Sequence, residues 1–158
     1  MASPPTVRSL ADLVGSRITR VRRVHYLYRE VPDTDFGPLE LTFGGRAVLF
    51  DNAADGETLC VRTKVWEDPF AEPLSEENRT FVEQSGKWAA FDVSAVGAFA
   101  TLIGDVLASA EPVLAESGHL TGMILRTAGG GVIRVDVEAD ELFLNEVIPG
   151  HSTERRER

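Results

Sequence analysis

The chain has 158 residues, 43% of them hydrophobic and 26% charged, with a formal net charge of −9. That size and composition describe one globular domain, or two very small ones sharing a core. No apolar run approaches the roughly 20 residues that a membrane-spanning helix needs. The single cysteine, Cys60, excludes an internal disulfide and fits a reducing compartment. The N-terminal MASPPTVRSL has no apolar h-region, so the expectation is a cytoplasmic chain without a signal peptide.

Residues 9–14 read as one or two helical turns, with Ser9 as N-cap and Gly15 as the stop. Residues 17–30, RITRVRRVHYLYRE, are rich in β-branched and aromatic side chains and predict a long strand. Its alternation falters at Arg22–Arg23, which predicts a bulge or bend there. Residues 31–38 are turn chemistry. Leu39, Leu41 and Phe43 alternate inward against Glu40 and Thr42, a half-buried strand. Gly44 and Gly45 then make a hairpin turn, and residues 46–51 return with Val48 and Phe50 facing in. After a loop at 52–56, residues 57–66 predict a fourth strand with Leu59, Val61 and Val65 on one side.

Residues 67–93 connect this unit to a second one. Ser75 can cap a helix running to residue 84, with Glu76 and Glu77 in its first turn and Gly86 just beyond its end. The alternative is a hairpin about Ser85–Gly86. Residues 88–93 are extended in both readings. Residues 94–103 read as helical through Val96, Phe99 and Ile103. Residues 105–116 read as a strand that Pro112 confines to an edge or bulge, or as an alanine-rich helix. Strands at 123–127, 132–137 and 141–148 follow, with Ile133, Val135 and Val137 facing in, and the tail from 149 to 158 is expected to be disordered.

The two units echo one another. Residues 37–55 align with 122–140 without a gap, and seven of those 19 positions are identical: Gly37/Gly122, Thr42/Thr127, Gly44/Gly129, Gly45/Gly130, Asp51/Asp136, Ala54/Ala139 and Asp55/Asp140. Gly56 has no counterpart, after which Leu59 falls on Phe143. Each unit alone is too small to bury a sheet. The expectation is therefore an α+β, mainly antiparallel β, single domain over 1–158. Two pseudo-symmetric repeats, 9–66 and 94–148, each a helix plus a four-strand meander, would share one core as a sandwich or split barrel.

No stretch announces a reaction. The glycine pairs lead into strands and not into helices, so they are hairpin turns and not phosphate loops. His25, His119 and His151 are scattered and have no second ligand at metal spacing. The repeated acidic loops, Asp51/Asp55 and Asp136/Asp140, lack the ligand spacing of a calcium loop and suit turn chemistry better. Neither a cofactor nor a metal is expected. Trp66 and Trp88 flank the connector and read as core packing more readily than as a ligand platform. The basic strand, with Arg17, Arg20, Arg22, Arg23 and Arg29, is expected to find its counter-charges in the acidic second half.

Charge supplies the functional expectation. Residues 1–66 carry a net +1, residues 67–150 a net −11 and residues 151–158 a net +1. An acidic body repels nucleic acid and anionic membranes and attracts a basic partner. The first reading is a non-catalytic binding protein that engages a basic protein partner, as a toxin-neutralising immunity-type protein does. Its contact residues would be Glu67, Asp68, Glu72, Glu76 and Glu77 on the connector with Asp136, Glu138, Asp140 and Glu141 on the last hairpin; a homodimer is compatible with this. The alternative is a small-molecule binder or an enzyme that uses the cleft between the repeats. A deep pocket with converging polar groups would favour that alternative.

Overall fold

The computed structural model describes residues 10–70 and 74–150. The predicted cap Ser9, the predicted contact Glu72 and the tail 151–158 lie outside the described residues. Leu10 and Ala11 are helical, and the turn that follows closes at Gly15, whose φ of 94° suits a residue without a side chain. Ten strands follow, all paired antiparallel: β1 (Arg20–Tyr28), β2 (Val31–Asp33), β3 (Leu39–Phe43), β4 (Arg46–Asn52), β5 (Leu59–Arg62), β6 (Lys87–Asp92), β7 (Leu107–Leu114), β8 (Leu120–Thr127), β9 (Val132–Glu138) and β10 (Glu141–Ile148). Helix α1 (Glu76–Ser85) precedes β6, and a single turn, α2 (Phe99–Leu102), precedes β7.

The first sheet runs β2-β1-β3-β4-β5, with β6 on the other side of β1; the second runs β10-β9-β8-β7. The alternating residues do the work expected of them. Leu39, Leu41, Phe43, Val48, Phe50, Leu59 and Val61 from the first sheet are buried in one core. Met123, Leu125, Ile133, Val135, Val137 and Leu142 from the second join them. Each such side chain stabilises the fold by about 1.5–3 kcal/mol relative to exposure.

Several expectations are corrected. β1 has no bulge, since its registers with β3 and β6 run unbroken through Arg22 and Arg23. Arg29 and Glu30 make a two-residue turn at positive φ, and Val31–Asp33 returns as a short strand instead of remaining a loop. The fourth strand stops at Arg62, and Val65 is exposed. The chain leaves the sheet there because the Trp66 backbone is drawn to side chains on the outer face: Trp66 N–H donates to Glu40 Oε2 at 2.8 Å, and its carbonyl accepts from Arg22 Nη2 at 3.3 Å. The predicted helix over 94–103 shrinks to the four residues of α2, preceded by turns. Residues 105–116 form the edge strand β7, where Pro112 deprives no inner ladder of a donor.

The two hairpin turns also differ. Phe43 pairs with Arg46 across two residues, whereas Arg126 pairs with Val132 across five. Leu39 and Leu41 pair with Phe50 and Val48, while Met123 and Leu125 pair with Val135 and Ile133. The gapless sequence alignment therefore matches β4 to β9 in facing but is one residue out of step between β3 and β8. In a strand, one step is the difference between core and surface.

Candidate ligand-binding cleft

The outer face of the first sheet carries Glu40, which is 0% exposed although it lies opposite the core. Glu40 Oε1 accepts from Arg22 Nε at 2.7 Å and from Arg20 Nη2 at 3.1 Å, and Oε2 accepts from Arg22 Nη2 at 2.6 Å. Burial alone would raise the Glu40 carboxyl; the bonds from Arg22 and the Trp66 N–H, with the charges of Arg22 and Arg20, hold it below the ordinary carboxylate range. So the basic strand finds its ion-pair partner, Glu40, in the first unit; the acidic second half contributes the charge of Asp92, which lies opposite Arg22 on β6. Arg23 is the exception. It is 7% exposed, donates one bond to the Gly37 carbonyl at 3.2 Å, and leaves Nε without a partner. Burial lowers its pKa to about 10.

The lock on Glu40 holds Trp66 over the sheet, and the rest of the connector follows. Lys87 Nζ donates to Asp68 Oδ2 at 2.6 Å and to the Phe70 carbonyl, tying the connector to β6. Phe70 stacks on Phe81 of α1 at 5.5 Å between ring centroids. Helix α1 starts as predicted, with the Ser75 side chain accepting from Asn78 N–H, and ends at Gly86 with φ 78°. Gly86 must be glycine on space as well, because a Cβ there would lie 2.6 Å from the Leu27 carbonyl oxygen and 3.0 Å from the Tyr26 ring.

Beneath this cover is a cleft of about 670 Å3. Its floor is Val24 and Tyr26 of β1 with Trp88 of β6, and Tyr26 meets Trp88 edge to face at 5.5 Å. Trp66, Phe70 and Phe81 form the covering wall. Asp51 and Asn52, from the end of β4, and Asp140 and Glu141, from the β9–β10 turn, also line the cleft. Glu141 is close enough to Asp140 and Asp51 to feel their charges, and Glu67 completes the lining carboxylates. Thus Trp66 and Trp88, both half-buried, line a cavity instead of the core.

The two acidic loops meet here. The Asp140 N–H donates to the Gly56 carbonyl at 3.0 Å, and a Cβ on Gly56 would fall 1.7 Å from Asp140 Oδ1. Gly56, the residue without a counterpart in the second unit, is the one against which the second unit's turn packs. Burial raises the Asp51 carboxyl. Glu141 is raised by burial and then by the neighbouring charges of Asp140, Asp33 and Asp51. Asp55 behaves differently. It accepts from Glu57 N–H, Thr58 N–H and the Thr58 hydroxyl, and these bonds, the hydroxyl foremost, lower its pKa to about 2. It shapes its own turn, as its sequence position suggests.

Of the contact residues predicted from charge, the structure brings Glu67, Asp140 and Glu141 to this one cleft. Asp68 is bound to Lys87, and Asp136 is bound to Arg134 at 2.9 Å and to Asn145 at 2.7 Å. Glu76 and Glu77 lie exposed at the start of α1, and Glu138 is exposed at the end of β9. The sequence reading missed Asp51, Tyr26, Phe70 and Phe81 as site residues; the repetition of Asp51 in the second unit was the only hint. Among the described residues no group of three or more His, Cys, Asp or Glu side chains is set to hold a metal, and no helix is long and apolar enough to cross a membrane. Compared with known proteins, the chain matches no family model, no curated protein and no solved structure.

Proposed function

We propose that this protein is a small-molecule-binding protein whose site is the cleft between the outer face of the first sheet and the connector. The observation that carries the reading is the cleft itself. Its volume lies in the range of ligand sites, and aromatic rings and a few convergent polar groups line it. Several separate stretches of chain build it, which strand pairing and the Glu40 lock hold in place. The test is a ligand screen observed by backbone and indole NMR on the full chain. Shifts should cluster on the indole N–H groups of Trp66 and Trp88 and on the Asn52 amide. Hits that perturb only other surfaces would refute the reading.

A basic protein partner, engaged as an immunity-type protein engages a toxin, is the second reading. Glu67, Glu76, Glu77, Glu138 and Asp140 favour it, being exposed and not ion-paired among the described residues. Association driven by those charges would slow steeply with added salt.

We also propose that the fold is a duplication about a pseudo-twofold axis. Its support lies where Arg17 bridges Val106. Gly15 N–H donates to the Leu107 carbonyl, and Gly104 N–H donates to the Ile18 carbonyl. Ile18 N–H donates to the Asp105 carbonyl, and Leu107 N–H donates to the Ser16 carbonyl. Each bond is the other's image when Gly15 is matched with Gly104.

A further inference from the structure

We infer that the cleft takes an organic cation, an ammonium or guanidinium on an apolar body, with the charge against Asp51, Asp140 and Glu141 and the body on Trp66, Trp88 and Tyr26. This rests on the small-molecule reading above and adds the charge of the ligand.

The first support is an uncompensated charge. Asp51, Glu67, Asp140 and Glu141 all line the cleft. The ion pairs among the described residues join Glu40 to Arg20 and Arg22, Asp68 to Lys87, Glu111 to Arg126 and Asp136 to Arg134. None uses a cleft carboxylate: Glu67 stays unpaired, although its neighbour in sequence, Asp68, is bound to Lys87. The cleft's own lysine, Lys87, is already committed to Asp68. Carboxylates gathered in a partly buried site without a counter-charge raise one another's proton affinity, and a bound cation relieves that repulsion. Glu141 shows this crowding, held above its ordinary range by burial first and then by the charges of Asp140, Asp33 and Asp51; Asp51 is raised by burial, against the pull of Arg62.

The second support is the nature of the rest of the lining. A hard metal ion wants six or more oxygens around it, whereas this cavity is lined by aromatic faces as well as by carboxylates. Ring faces attract weakly hydrated organic cations through their quadrupole and cover an apolar body by area. An anion would meet like charge, and a neutral molecule could donate hydrogen bonds to the carboxylates but would not offset their charge.

The third support is that the charged part of the lining is built and not loose. The Asp140 N–H is anchored on the Gly56 carbonyl, and the carboxylate abuts the glycine so closely that no side chain fits there. The Asp51 carboxylate accepts the Asn52 N–H at 2.8 Å. Ligand binding therefore needs little reordering of these two groups.

Calorimetry on the full chain with three probes of one shape tests the inference: phenylbutylammonium, phenylbutanol and phenylbutyrate. The ammonium should bind about tenfold or more tighter than the alcohol, and the carboxylate should not bind. In the triple variant Asp51→Asn/Asp140→Asn/Glu141→Gln the ammonium should fall to the level of the alcohol, whose own affinity should change little and so reports an intact cleft. Equal affinity of ammonium and alcohol in the native chain would overturn the cation assignment and leave the cleft reading standing. An ammonium preference that survives the triple variant would also overturn it, because the charge would then sit elsewhere. Failure of all three probes to bind, with no response at Trp66 or Trp88, would overturn the cation inference and the cleft reading together.

Discussion

Replacing Glu40 by alanine strips the outer face of the first sheet of the acceptor that serves Arg20, Arg22 and the Trp66 backbone at once. Breaking a buried ion pair from one side costs about 3–5 kcal/mol. Here the Arg22 and Arg20 side chains are 20% and 41% exposed and can turn to water, so the cost falls below that range, to about 2–3 kcal/mol. For a chain of this size that is a fall in Tm of roughly 5–10 °C. Because Trp66 loses its anchor, its emission should shift to the red in the same variant. The folded carboxyl lies below its ordinary range, so its contribution is complete above the unfolded pKa of about 4.3 and is lost as pH falls through the folded value. Thermal unfolding of native and variant chains, followed by circular dichroism from neutral pH downward, should give curves that converge on the acid side. A loss under about 1 kcal/mol at neutral pH, or a difference that persists unchanged into strong acid, would refute the claim that this ion pair anchors the connector.

Gly56→Ala should destabilise by at least about 1–2 kcal/mol from its φ of 71° alone, with a further loss from the overlap with Asp140. Chemical denaturation in an Asp140→Ala background should recover that further part and only that part. Arg23→Met should be neutral or stabilising under the same assay, since it replaces a buried guanidinium whose Nε is unpartnered by an apolar chain of similar length; a loss above about 2 kcal/mol would show that the bond to Gly37 matters more than the desolvation it demands.

Much of the fold is legible because side-chain alternation reports burial directly. Leu39, Leu41 and Phe43, or Ile133, Val135 and Val137, could face inward only as strands. Ser75 and Gly86 marked the ends of α1 by the chemistry of caps. What escaped was decided by tertiary contacts. Trp66 follows strand-forming residues, yet its backbone is captured by Glu40 and Arg22 from outside the sheet. Val31–Asp33 contains a proline and reads as a turn, but as an edge pairing with β1 it loses nothing by that. The charge of Arg22 was visible and its partner was not, because Glu40 lies in an alternation that marks it as solvent-facing. The cleft was the least legible feature. Asp51 and Asp140 each stood out as a repeated position, matched by Asp136 and Asp55, but that they face one cavity depends on how the last hairpin docks against the first sheet.

The pairing of β1 with β6, and of Gly37 N–H with the Leu142 carbonyl, has a consequence for how the chain emerges from the ribosome. The first sheet lacks its sixth strand until Asp92 has been made, and the faces of Leu39, Leu41, Val48 and Phe50 lack their cover until β10 follows. At roughly 5–20 residues per second, that second wait lasts roughly 3–10 s, long compared with hairpin formation in microseconds. For those seconds the nascent chain holds a finished meander with an open apolar side, a surface prone to association that the stability of the mature protein does nothing to protect.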